Sequence, residues 1–504
     1  MYKKSFIFVW FLALFAVCFT ACNGGGTAKQ TADELPEYTI IYYSCGSDVY
    51  DNVFAFNLHD FYATKAESHQ KVKVAVQYKF SPEESFRKSE DFVWWVNAMA
   101  DGYGFSADQW MQKRDRATMR FVLDPNQPFN KDVKDSEPMD SVFLKDSFLL
   151  PGKDIDYGDP QTFANFISWA VSTVPAKKYL VVIGGIGIGY RPDLDLPQGA
   201  SNEAAAVIGE LPAFLSVSEI ASAIIKTGIK PDAIYLENAY SNSIEILYEL
   251  KDIAPYVVCS TFENAIYPSF GTLLDELAQH DTETALANYC DKITSVFKKE
   301  FTSEEGLVDC RDISVIRTAG LDAFGVLFKG FTDRLIDAYQ NGGKDAKTKI
   351  DGITANFPYM VRGTTPAYTL TDYAGAIMDA LPKYFPADFK NRFMDAYKSN
   401  VIRSIATESL AKLGSPLSSS ILIGCKNYYK TFLWEKGALA MMVERFADGT
   451  LKDYSGDGKL LHETKWGSTF DATYKQLQFD KATLWSRWIE VNEQETAKKG
   501  PMGF

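Results

Sequence analysis

The chain has 504 residues, 46% of them hydrophobic and 23% charged, as in ordinary soluble globular proteins. That length is a soft prior for about two to four domains, and it allows a sizeable core without a disulfide framework. The formal net charge is −13, and an acidic surface repels phosphate backbones, which argues against nucleic acid as a partner.

The first residues read as a processing signal rather than as fold. Lys3 and Lys4 supply a positive start, and Phe6 to Phe19 is an apolar run too short for a comfortable membrane span. It ends in Phe19-Thr20-Ala21-Cys22, which resembles a bacterial lipobox with Phe19 where Leu is commoner. The expectation is a lipoprotein signal peptide over 1–21, with Cys22 as the lipid-bearing first mature residue. A plain secretory signal cut nearby is the alternative. Residues 22–37, Gly-rich and polar, suit a flexible tether. The localisation this implies is the bacterial cell envelope, lipid-anchored at the outer membrane or surface. Removal of the signal takes the basic count from 52 to 50 against 65 acidic residues, a net charge of about −15.

Five cysteines then remain besides Cys22: Cys45, Cys259, Cys290, Cys310 and Cys425. Their wide, odd-numbered spacing argues against a disulfide scaffold. No Cys-x-x-Cys or His-x-x-x-His pair is present, so a zinc site has little support.

From Tyr38 the pattern turns globular. Thr39 to Tyr43 reads as a buried strand closed by the turn-like Cys45-Gly46-Ser47-Asp48. Val72, Val74 and Val76 alternate with Lys73, Ala75 and Gln77, a second strand. Met119 to Leu123 is a further short strand. Asp159 reads as an N-cap and Pro160 as the first helical residue. Phe163, Phe166, Ile167, Ala170, Val171 and Val174 then repeat with helical spacing until Pro175. Tyr179 to Ile183 is continuously apolar, as expected of a strand buried on both faces.

The unit recurs. Ser216 and Glu219 have capping-box spacing, a helix runs over Ile220, Ala223 and Ile224, and Gly228 ends it. Ala233 to Leu236 is the next buried strand, Ile244, Leu247 and Leu250 mark another helix, and Tyr256 to Cys259 another strand. This alternation predicts an α/β fold: a mostly parallel sheet with helices on both faces. Beyond about Ser303 the rhythm changes to helical segments and looser apolar runs, including Ser419 to Ile423 and Tyr428 to Trp434. The expected division is one α/β domain over 38–302 and a C-terminal mixed α+β domain over 303–504.

Gly184-Gly185-Ile186-Gly187-Ile188-Gly189 is glycine-rich but a poor nucleotide loop. Counted from Gly185, the sixth position is Tyr190 instead of Gly, and the phosphate-loop Lys-Ser/Thr is missing. Asp453-x-Ser455-x-Asp457-Gly458 is similar to the first half of a calcium loop, but Thr464 stands where the chelating Glu belongs. Calcium at Asp453, Ser455 and Asp457 is an open alternative to a Gly-rich hairpin turn; no other cofactor is expected.

Gly158-Asp159-Pro160, the helix with Phe166-Ile167 and Trp169-Ala170, Pro175-Ala176, and Tyr179 to Ile183 together resemble the clostripain-like family of cysteine peptidases. The resemblance implies a caspase-like fold. In that family this strand leads into Asp/Asn-His-Gly-x-Gly-Trp, whose His is the catalytic base. Laid on without gaps, Gly185 takes the Asp/Asn position, Ile186 the His, and Gly187, Gly189 and Tyr190 the rest. The family's next strand leads into Asp-Ala-Cys and a helix that Glu245, Tyr248, Glu249 and Leu250 match. Counting back places Glu237 on the Asp, Asn238 on the Ala and Ala239 on the nucleophilic Cys. Val257, Val258 and Ser260 match the following strand, and weaker similarity runs from Tyr38 to the stretch Tyr474 to Trp485.

The departures fall on the chemistry. Such peptidases need a thiolate to attack and an imidazole to move the proton. Ala239 has no nucleophile and Ile186 cannot carry a proton. In another hydrolase, loss of nucleophile or base alone costs on the order of a million-fold in turnover. No His lies between His69 and His280, so no nearby register supplies the base. The expectation is therefore a non-catalytic pseudopeptidase that binds peptides or proteins at the envelope.

Two alternatives stay open. One is an active cysteine endopeptidase cutting after Arg or Lys through a relocated dyad, drawing on Cys45 or Cys259 and one of His59, His69, His280 or His462. The other is a glycan-binding surface lipoprotein, given 14% aromatic residues. The resemblance also implies that Glu237 helps form an acidic pocket for a basic side chain, against the alternative of a solvated loop acid. Gly187 and Cys45 complete the candidate substrate-binding set.

Overall fold

A computed structural model of the chain describes residues 34–45, 58, 60–79, 118–126, 157, 159–184, 215, 217–237, 241–261, 270–300, 312–356, 367–406, 420–422 and 474–498. The chain divides into two units, Met1–Leu35 and Pro36–Phe504. The signal, Cys22 and almost all of the first unit lie outside the described residues. Every described strand belongs to the second unit.

Eight strands form one sheet. They are β1 (Tyr38–Cys45), β2 (Val72–Lys79), β3 (Thr118–Val122), β4 (Lys178–Gly184), β5 (Ala233–Glu237), β6 (Tyr256–Cys259), β7 (Asp312–Arg317) and β9 (Val401–Ala406). Their order across the sheet is β3-β2-β1-β4-β5-β6-β7-β9. The five central strands, β2, β1, β4, β5 and β6, are parallel. β3 closes one side antiparallel to β2, and β7 and β9 extend the other antiparallel. The α/β expectation of a mostly parallel sheet is met, with antiparallel margins.

Helices cover both faces. On one side lie α2 (Pro160–Thr173), α3 (Val217–Thr227) and α4 (Ile244–Leu250). Their apolar faces pack with Ile41, Val181, Ile183, Ile234, Leu236 and Val257 of the sheet. On the other side α1 (Ala66–Lys71), α5 (Phe270–Gln279) and α6 (Thr282–Glu300) accompany the face that carries Ile40, Tyr42, Val74, Val76, Val182 and Tyr235. Alternate residues of β1 thus enter opposite cores, as the period of two requires. Strands buried on both faces read as continuous apolar runs, which is why β4 and β5 were legible.

Local chemistry sets the helix ends. Asp159 accepts the Gln161 N–H at 2.8 Å ahead of Pro160. Phe163, Phe166 and Ile167 of α2 are fully buried, worth about 1.5–3 kcal/mol each relative to exposure. α3 stops at Gly228, whose φ of +76° favours glycine even though a Cβ there would meet nothing. Ser216, half of the expected capping box, lies outside the described residues.

The sheet crosses the boundary expected at 303, because β7 and β9 continue it. Among the described residues six later helices follow: α7 (Leu321–Asn341), α8 (Gly343–Asn356), α9 (Leu370–Ala380), α10 (Ala387–Lys398), α11 (Gln478–Thr483) and α12 (Trp485–Lys498). They contribute to the same core as α2, α3 and α4. Phe324, Phe328, Phe331, Phe393 and Trp485 join rings there, with Phe328 centred 5.1 Å from Phe479 and 5.2 Å from Trp485. β10 (Ser420–Leu422), inside the expected Ser419 to Ile423 run, pairs antiparallel with β8 (Ala367–Thr369) in a separate ribbon. Tyr428 to Trp434 lies outside the described residues.

Candidate functional site at the carboxyl edge of the sheet

Parallel strands deliver their carboxyl ends to one edge, where open α/β sheets place ligands. Ser44 of β1 pairs with Gly184 of β4, and Gly184 pairs with Glu237 of β5. Ile186 and Ala239 each stand two residues beyond one member of the pair Gly184–Glu237. Both lie outside the described residues, as does Gly187. Gly184 and Glu237, the last residues of β4 and β5, thus end side by side.

Glu237 is 1% exposed. Its Oε2 accepts the Tyr42 phenol at 2.6 Å. Below it, the Tyr235 and Tyr289 hydroxyls are 3.5 Å apart. Burial, then the neighbouring Tyr235 and the charge of Glu237, push the Tyr289 phenol well above its ordinary pKa. The acid is therefore an interior group held among phenols, not a solvated loop residue. Ser44 Oγ, on the same row, is buried with no partner among the described residues. Cys45 ends the β1 backbone opposite Lys79, and its side chain lies outside what is described.

A second set of polar groups holds the segments after β5 and β6. Asp312 accepts the Thr261 N–H on both carboxylate oxygens, at 2.9 and 2.8 Å, and the Ser260 hydroxyl at 2.9 Å. The Asn242 N–H donates to the Ser260 carbonyl at 2.7 Å, and its Nδ2 to Thr261 Oγ1 at 3.0 Å. Ser243 caps α4, and its hydroxyl donates to Glu245 Oε2 at 2.7 Å. The Tyr474 phenol, from far along the chain, donates to Glu245 Oε1 at 3.0 Å. These buried groups tie residues 242–245 to 260–261, and those in turn to Asp312 and Tyr474. Sequence reasoning missed Asn242, Asp312 and Tyr474 as members of this set. The small polar runs Ser241-Asn242-Ser243 and Ser260-Thr261, just past buried strands, were the available signal.

The described cysteines and histidines do not meet. Cys259 is fully buried, and burial, then the charge of Asp312 and the neighbouring Cys290, push its thiol well up. A thiol held neutral in apolar surroundings is an inert small hydrophobe. Cys290 is likewise buried within α6, and burial raises its thiol pKa. His69 belongs to α1, immediately before β2, so it stands at the amino edge of the sheet. β2 alone separates it from the carboxyl edge by roughly 23 Å. There its ring bonds the Phe61 carbonyl at 2.9 Å and stacks on Phe61. His280 lies at the same far edge. Ala278 accepts from Lys71 and Thr282 bonds Tyr38, the first residue of β1. His59, His462 and the calcium-like stretch Asp453, Ser455 and Asp457 lie outside the described residues. Among the described residues no group of acids, His or Cys is arranged to hold a metal ion.

The model of the clostripain family matches residues 137–491, most of the chain. This chain belongs to the clostripain family. No curated protein matches it. Among solved structures, a secreted C11 cysteine protease from Bacteroides thetaiotaomicron is 16% identical, over 74% of this chain and 87% of that one, with a TM-score of 0.49. An inactive zymogen C11 protease from Parabacteroides distasonis is 14% identical, over 90% of this chain and 99% of that one, also with a TM-score of 0.49. In this clostripain-family chain the caspase-like sheet is kept, with the segments carrying Ile186 and Ala239 leaving neighbouring strands. No described helix is long and apolar enough to cross a membrane.

Proposed function

We propose that this clostripain-family protein is a non-catalytic, lipid-anchored binder of peptides or proteins at the bacterial cell envelope. One observation carries the reading. The Gly184–Glu237 pair aligns the two strand exits in register, and the residues two steps beyond are Ile186 and Ala239. A hydrocarbon and a methyl group there can neither attack a carbonyl nor move a proton. The lipobox-like Phe19 to Cys22 supports the anchor. A ligand with basic side chains is suggested by the acidic position that Glu237 takes in the family resemblance, and would have to reach a carboxylate now bonded to the Tyr42 phenol.

The mature chain incubated with fluorogenic Arg and Lys peptides tests the loss of cleavage. No turnover above buffer is expected. Turnover that disappears in Cys45→Ala or Cys259→Ala would establish the competing endopeptidase reading instead. Calorimetry with Arg-containing peptides tests the ligand class: binding heat that is identical in the native chain and Glu237→Gln removes Glu237 from the site. Saturable polysaccharide binding with no response to basic peptides would favour the glycan reading. Mass spectrometry of membrane-extracted protein is expected to find Cys22 diacylated, and Cys22→Ala to release the chain into the soluble fraction.

A further inference from the structure

Arg120 of β3 has no carboxylate beside it among the described residues. Its Nε donates to Gln77 Oε1 at 2.7 Å, and Nη2 donates to the same oxygen. The guanidinium lies 5.8 Å from the centre of the Phe166 ring and 5.5 Å from that of Trp169. Burial is the largest influence on it and pulls its pKa below the ordinary value. Guanidinium carries donors only, so the Gln77 carboxamide must turn its oxygen toward Arg120. That orientation leaves Gln77 Nε2 as a spare donor: the residue is 0% exposed and the atom has no partner among the described residues. Two further contacts pin the neighbourhood. Tyr157 donates its phenol to the Gln77 carbonyl, and its ring stacks on Tyr43 at 3.9 Å.

We infer that Arg120 and Gln77 form a binding site for one carboxylate of a peptide ligand. One cation and one neutral donor match the single charge of a carboxylate. With Nε and Nη2 engaged by Gln77 Oε1, the remaining guanidinium N–H groups supply the charge-assisted bond to the oxyanion. A phosphate dianion would be under-compensated here, in a chain already at −13. Trp169, half-buried beside the guanidinium, offers an aromatic face for the apolar part of the same residue. Gln77 pairs with Tyr43, and Tyr43 with Ile183, so the site lies about 10 Å across the sheet from the strand that leads to Ile186. The inference is independent of whether cleavage has been lost.

Calorimetry of the mature chain with three blocked tetrapeptides provides the test. One carries a free terminal carboxylate, the second is its amide, and the third is an amide with a single Glu. Saturable binding is expected for a carboxylate-bearing peptide and none for the neutral amide, with affinity at least tenfold weaker in Arg120→Met and in Gln77→Met. Binding of the first alone assigns the terminal carboxylate, and binding of the third alone an acidic side chain. Equal binding of carboxylate and amide peptides overturns the inference, as does the absence of binding by all three. Unchanged affinity in either folded variant also overturns it, and tighter binding of inorganic phosphate than of either acid removes the carboxylate assignment. Should circular dichroism show the variants unfolded, the comparison of acid and amide on the native chain decides.

Discussion

Tyr42 of β1 reaches past β4 to hydrogen-bond Glu237 of β5 at 2.6 Å, tying together the two strands that flank the one leading to Ile186. Both partners are buried. Removing the donor leaves a buried acceptor short of a partner, which costs about 1–3 kcal/mol. Tyr42→Phe is expected to lower the urea unfolding free energy by that amount with an unchanged m-value. A loss below about 0.3 kcal/mol would show the contact to be energetically idle.

The thiols give a second prediction. Cys259 and Cys290 are buried, and burial raises both pKa values. Thiolate is the reactive form, so both are expected to resist iodoacetamide at pH 8 until urea unfolds the chain. Peptide mapping after alkylation reads this directly. Rapid native labelling of Cys259 would contradict its placement inside the sheet.

Acidification should unfold the α5–α6 pair first. Glu276 is 2% exposed. Burial alone would raise its pKa. Hydrogen bonds from Lys292 and from Asn288 Nδ2 at 2.9 Å, with the charges of Lys292 and His280, outweigh that and lower it. Asp281 and Glu283 are also lowered, the first mainly by the Thr284 N–H and the second mainly by Arg317. A carboxylate depressed in the folded state stabilises above its unfolded pKa of about 4.3 for Glu, and that contribution is lost as pH falls through the folded value. The urea midpoint is expected to drop between pH 6 and pH 3. Glu276→Gln should lower it at pH 6 and flatten the drop.

A helix glycine provides a case where two effects compete. Replacing Gly325 of α7 by Ala gains about 1 kcal/mol of helix propensity. The added Cβ would lie 2.6 Å from Tyr248 Oη and 2.9 Å from Cε2 of that ring. The ring is held by Asp322, so it cannot swing away freely. Overpacking costs typically 1–3 kcal/mol and should win. Gly325→Ala is expected to lower the melting temperature, and Gly325→Ala with Tyr248→Leu to recover most of the loss.

Asp159, Pro160 and the apolar spacing of α2 announce a helix from local chemistry alone, and β4 and β5 announce themselves as unbroken apolar runs. The strand expected at Met119 to Leu123 exists at Thr118–Val122, but its antiparallel pairing with β2 was not legible. β7 and β9 were not read from the sequence at all; their pairing in the main sheet depends on partners tens of residues away. Glu237 was legible as a residue just past a buried strand. Its contact with Tyr42 was not, since 195 positions separate them.

Local patterning was enough to establish the alternating strands and helices, and residue identity alone gives the lipobox-like start and the hydrocarbon side chains of Ile186 and Ala239, two residues past the ends of adjacent strands. These depend on residue identity and short-range spacing, which a linear chain displays openly. Tertiary structure alone decided that the sheet continues past residue 303, that Glu237 is enclosed by phenols, and that Arg120 faces a carboxamide instead of an acid. Each of those outcomes depends on which distant backbone arrives alongside, and such arrivals are selected by the packing of the whole core.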